Sequence, residues 1–104
     1  MQDLVDKATE LHRQGQMEQS IDLYRQILAS EPGRPDITHN LGMALLGQGE
    51  LQEGEALVKQ FWTQDPGNTN TRGTPEIVAS ILLQHGYREQ ARYWLRIAIS
   101  LAPH

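Results

Sequence analysis

Apolar residues recur at three- and four-residue intervals through most of this chain, and glycine or proline breaks the runs at regular places. Leu4, Ala8 and Leu11 share one helix face and predict a helix from Gln2 to Gln14, ended by Gly15. Met17, Ile21, Tyr24 and Leu28 predict a second helix from Met17 to Ser30. Pro32 cannot continue it, and Gly33 lets the backbone reverse. Arg34-Pro35-Asp36 opens a third helix, with Asp36 as a cap or first-turn acid. That helix carries Leu41, Ala44 and Leu45 and stops near Gly47-Gln48-Gly49. Leu51, Leu57, Val58, Phe61 and Trp62 predict a fourth helix from Leu51 to Gln64. Asp65-Pro66-Gly67-Asn68 ends it, and the stretch through Thr74 has no apolar residue, so the longest loop is expected at 67–74. Thr74 as cap, Pro75 in the first turn and Glu76 at the positive end of the dipole start a fifth helix, which runs to His85. A sixth runs from Arg88 to Leu101. No alternation of period two occurs, so the chain reads as all-α.

The helices fall into three pairs built to one design. The first reads Leu4, Ala8, Leu11, Gly15, Ser20, Tyr24, Ile27, Pro32; the second Leu41, Gly42, Leu45, Gly49, Gly54, Val58, Phe61, Pro66. The third reads Val78, Ala79, Leu82, Gly86, Ala91, Leu95, Ala98, Pro103. The first two prolines are 34 residues apart and the next two 37, the same unit with three residues added. A fixed period in this range predicts stacked repeats, each burying its apolar side against a neighbour.

This spacing resembles the tetratricopeptide repeat, a helix-turn-helix unit of about 34 residues. The match rests on Asn40-Leu41-Gly42 and Gly49-Glu50-Leu51, on Tyr24, Ile27-Leu28 and Pro32, and on Gly86, Gln90-Ala91 and Pro103. The resemblance implies an α-solenoid of three antiparallel helical hairpins in a right-handed stack. It would form a single domain over 1–104, with repeats at about 1–34, 35–68 and 72–104. The sequence departs from the pattern at Lys7, Gly54, Trp62, Tyr87, Arg88 and Pro75, and the third repeat departs most. Gly42 lies inside a helix, at a cost of about 1 kcal/mol against alanine. In the family that slot is a close helix–helix contact.

Charge and chemistry narrow the functional classes. The net charge is −4, made of −2 over 1–34, −4 over 35–68 and +2 over 69–104. A nucleic-acid binder needs a basic stripe. Arg88, Arg92 and Arg96 line the sixth helix at four-residue spacing, and they read as a solvated face, so no nucleic-acid partner is expected. The chain has no cysteine, which removes disulfides and zinc–thiolate sites. No apolar run approaches the roughly 20 residues that cross a bilayer. The start, Met1-Gln2-Asp3-Leu4, lacks the pattern of a signal peptide, so a cytoplasmic setting without a membrane partner is the expectation. Among His12, His39, His85 and His104 no pair has the spacing of a helical zinc site. There is no phosphate loop, no nucleophile elbow and no well-placed carboxylate pair. Neither catalysis, metal nor cofactor is expected.

What remains is binding of a protein or peptide. The resemblance implies that the first helix of each repeat lines a concave groove. Carried over by position, the groove takes Val5, Thr9, His12 and Arg13 from the first repeat and His39, Asn40, Met43 and Leu46 from the second. The third supplies Glu76, Ser80, Leu83 and Gln84. Val5, Met43, Leu46 and Leu83 would form an apolar centre, with methionine suited to adaptable contact. Leu46 and Leu83 fit equally well as packing between helices. The family's clamp for a peptide carboxylate is matched here only at Asn40.

The last helix suggests an alternative. Tyr93, Trp94, Ile97 and Leu101 add apolar bulk to Ala91, Leu95 and Ala98. Ile97 stands where earlier repeats have Gln26 and Gln60, and Leu101 where they have Ser30 and Gln64. An apolar stripe of that extent marks an interface, covered by a second copy or by a following segment. The competing reading tucks Trp94 into its own repeat. On the alternative view the chain is a self-associating structural module, or the recruiting segment of a larger protein.

Overall fold

The computed structural model describes residues 2–65 and 72–101. It contains six helices in chain order: α1 (Gln2–Arg13), α2 (Met17–Ser30), α3 (Pro35–Gly47), α4 (Leu51–Gln64), α5 (Thr74–Gln84) and α6 (Arg88–Leu101). Among the described residues there is no strand. Each boundary lies within one residue of the sequence expectation. The loop expected at 67–74 lies outside the described residues as far as position 71, as do Pro66, Pro103 and His104.

The same turn joins the helices of each pair. Gly15, Gly49 and Gly86 have φ of 83°, 85° and 83°, a conformation that side chains with a Cβ rarely adopt. The amide one residue further on reaches back five residues, from Gln16 to Leu11, Glu50 to Leu45 and Tyr87 to Leu82, at 2.9 Å each time. Carbonyls that the helix ends would leave unpaired are thereby satisfied. At the far ends of α2 and α4 the chain leaves through Glu31 and Asp65, each extended (φ −133° and −144°) and each preceding a proline, which disfavours helical backbone there. One local expectation holds and one needs correction. Asp36 is the first-turn acid of α3, where Arg34 holds the capping position and its guanidinium bonds Asp36 and Glu31. Thr74 is already helical, with Gly73 as the residue before it.

The helices divide into two compact units, Met1–Pro66 and Gly67–His104. In the first, α1 pairs with α2, α2 with α3 and α3 with α4. Its core gathers Val5 and Ala8 from α1, Ile21, Tyr24 and Ile27 from α2, and Ile37, Leu41, Ala44 and Leu45 from α3. Between α3 and α4 the helices approach most closely. A Cβ placed on Gly42 would stand 2.8 Å from Val58 Cγ2 and 3.0 Å from the Gly54 carbonyl oxygen. One on Gly54 would stand 2.9 Å from both the Gly42 oxygen and the Leu46 nitrogen. Gly42, which costs helix propensity, is thus required by packing. Within this unit Arg25 of α2 is joined to Glu53 of α4 by two bonds of 2.9 and 3.2 Å.

In the second unit α5 packs on α6 and buries Pro75, Val78, Ala79, Leu82, Ala91 and Trp94. Arg72 donates to the Leu101 carbonyl at 2.6 Å, joining the entry of α5 to the end of α6.

Candidate functional site

The face of unit one that the first helices present is built from residues one turn apart. On α1, Thr9 and Arg13 are exposed and His12 is half-buried. On α3, His39, Asn40 and Met43 are half-buried and, at spacings of four and three, share one face. The two helices contribute to one core, Val5 and Ala8 of α1 lying in the same cluster as Ile37, Leu41 and Ala44 of α3. Tyr24 of α2 lies beneath. Its ring is wholly buried, and its hydroxyl reaches Thr9 and comes within 3.1 Å of His12 Nδ1. The sequence pattern marked Tyr24 as core and did not place its hydroxyl under this face; a buried tyrosine that must satisfy its hydroxyl was the available signal. The His39 ring lies against Phe61 of α4 at 4.7 Å, and its Nδ1 approaches Asn40 Oδ1 at 3.3 Å.

Burial sets the charge of this face. It pushes the His12 pKa below the ordinary 6.5, and lowers that of His39 against the opposing effect of its bond to Asn40. Both rings are therefore neutral at pH 7. With His12 neutral, the Tyr24 hydroxyl can donate to its Nδ1. Arg13 is held by Glu10, at 2.9 Å through Nε. The result is a surface with Met43 at its apolar centre, hydrogen-bonding groups at Thr9, His12, His39 and Asn40, and one paired cation at the edge.

Two expected members are missing from this face. Val5 and Leu46 are buried, at 9% and 2% exposure, and belong to the packing rather than to an open wall. Leu46 is drawn inward because Gly54 leaves room for it: its Cγ would lie 2.8 Å from a Cβ at that glycine. In unit two, Glu76, Ser80, Leu83 and Gln84 are all exposed, and Leu83 at 48% does not pack between helices. Their spacing places them on one face of α5. Two further hollows in unit one, of about 290 and 370 Å³, are lined mainly by polar side chains including Glu18, Gln48 and Glu50, and neither touches the residues above. Among the described residues no cluster of three metal-ligating side chains occurs.

The stripe expected on α6 is also altered. Trp94 is fully buried, so it cannot be part of an exposed interface. It shares a helix face with the buried Ala91 and the half-buried Ala98, three and four residues away. Tyr93 is 44% exposed and packs edge-on against Trp94, while Ile97 and Leu101 are half-buried. Leu95, at 37%, and Ile99, at 69%, are open as well. Leu95 departs here from its repeat equivalents Tyr24 and Val58, which are buried.

Comparison with protein families adds one decisive match: the family model for the tetratricopeptide repeat fits residues 11–74, more than half of the chain. The chain belongs to the tetratricopeptide repeat family. A comparison with curated proteins gives no match. Tetratricopeptide repeats are protein–protein interaction units, and the six helices here have the paired all-α form of the family. No described helix of this tetratricopeptide protein is long and apolar enough to cross a membrane.

Proposed function

We propose that unit one binds a segment of a partner protein on the face formed by α1 and α3. The observation carrying this reading is the set Met43, His39, Asn40 and His12. An apolar thioether lies part-open at the centre, ringed by hydrogen-bonding groups that are neutral at pH 7. Such a surface suits an uncharged segment whose apolar side chain lies over Met43 and whose backbone or polar groups meet the histidines and Asn40. The exposed face of α5, with Glu76, Ser80 and Leu83, supplies unit two with its own contact surface. On this reading the protein acts by binding.

The test is selection of a displayed random-peptide library against the protein, followed by affinity measurement on the selected peptides. Met43→Glu should weaken their binding at least tenfold while changing unfolding stability by about 1 kcal/mol or less, near the range of surface substitutions. Selected peptides that bind the wild type and Met43→Glu equally would place recognition elsewhere.

A further inference from the structure

We infer that the tetratricopeptide chain associates head to tail with copies of itself, the outer face of α6 in one copy docking on α1 of the next. Charge is divided between the units. Residues 1–66 hold five Lys/Arg and eleven Asp/Glu, giving −6; residues 67–104 hold four and two, giving +2. On α6 the basic groups Arg88, Arg92 and Arg96 are exposed and surround the open Leu95 and Ile99, with Glu89 the only acid on the helix. The junction of α2 with α3 inside the chain is the template for what would cover that face. There, Ile21 and Tyr24 of α2 are buried in one core with Leu41 and Ala44 of α3.

Position by position, α6 and α1 differ from that inner junction in matched ways. Ile21 and Arg92 both stand six residues past a turn glycine. Ala44 and Glu10 both stand five residues before one. Two apolar members of that inner core thus correspond to a basic group on α6 and an acidic group on α1. Tyr24 corresponds to the exposed Leu95, and Leu41 to Lys7, whose methylenes can lie on a leucine while its amine stays in water. Ile37 corresponds to Asp3, a second exposed acid on the same face of α1. Two α6 helices facing each other would instead bring like charges together, which disfavours a symmetric pair. A head-to-tail contact is heterologous, so it either closes into a ring or extends. It uses neither Met43 nor the histidines and meets the binding face only where Glu10 holds Arg13 at its edge, so its failure leaves the peptide-binding reading standing.

Sedimentation of the whole chain, with Arg92→Glu and Glu10→Arg as variants, tests this. Both residues are exposed, and circular dichroism checks that each variant keeps its helices. The wild type should associate at low salt and dissociate at about 0.5 M salt, where screening shortens the reach of charges. Each variant alone should be monomeric, or at least tenfold weaker in association. An equimolar mixture of the two should associate again, since each then meets an opposite charge. A wild type that is monomeric throughout would overturn the inference and make α1 a solvated end. So would an association weakened by Arg92→Glu and untouched by Glu10→Arg, which marks a symmetric α6 contact, or a mixture that fails to recover.

Discussion

At the scale of single residues, two histidines tie the binding face to the stability of its unit. His12 and His39 bind protons less readily in the folded chain than the ordinary value of 6.5 implies, because folding takes their rings out of water. Below pH 6.5 the unfolded chain therefore holds more protons than the folded one, and stability falls as pH drops toward the folded values. It is fully present above that window. Glu10, Asp36 and Glu53 are held below their ordinary values by Arg13, Arg34 and Arg25, so they titrate at lower pH and leave the histidine window clear. The urea midpoint, followed by circular dichroism, should be lower at pH 5.5 than at pH 8. The double variant His12→Gln, His39→Gln should flatten that difference. The histidines and Met43 were legible in the sequence because the repeat fixes which helix positions face outward. Val5 and Leu46 were not. They sit at the margin of that face, where the volume of a neighbour decides: the missing Cβ of Gly54 turns Leu46 inward. Trp94 was misplaced as well, since slot counting does not tell whether a large ring turns into its own hairpin or away from it.

At the scale of elements, the α3–α4 hairpin is held by two glycines that have no room for a Cβ. Replacing glycine with alanine inside a helix ordinarily stabilises it by about 1 kcal/mol. Here the added methyl meets Val58 and the Gly54 carbonyl, or Leu46 and the Gly42 carbonyl. Gly42→Ala and Gly54→Ala should each destabilise the unit by about 1–3 kcal/mol, the cost of overpacking a filled site, read from urea unfolding curves. Helix limits were almost fully legible, because a glycine turn with positive φ and an X-Pro exit recur in phase and each has a local cause. The first residues of α3 and α5 were less so. Neither has a side-chain cap: Thr74 lies one residue too far inside α5 to cap it, while Asp36 serves α3 as its first-turn acid and both helix starts held.

At the scale of the whole molecule, the repeat period was plain in the sequence, but the division into two compact units was not. Three added residues between Pro66 and Pro103 mark where it falls without stating that it is there. The two tryptophans lie on opposite sides of that boundary, Trp62 in α4 and the buried Trp94 in α6. In repeat proteins stability sums over units and their junctions, so units of unequal core need not unfold together. Unit two has one helical hairpin against two in unit one. A Trp62→Phe chain, reporting through Trp94, should therefore lose its tertiary fluorescence at lower urea than a Trp94→Phe chain reporting through Trp62. Coincident midpoints would mean that the chain melts as one block.

The close contact of Gly42 with Gly54 also bears on how such a chain can diverge after duplication. The corresponding pairs are Ala8 with Ser20 and Ala79 with Ala91. Those hairpins can drift one small side chain at a time, each change absorbed by its partner. In the middle hairpin the obstacles include backbone carbonyls, which no substitution removes. Its two glycines can leave only if the helices first move apart, so the middle unit is no longer interchangeable with its siblings, and grafting either of them into its place would force the rest of unit one to shift.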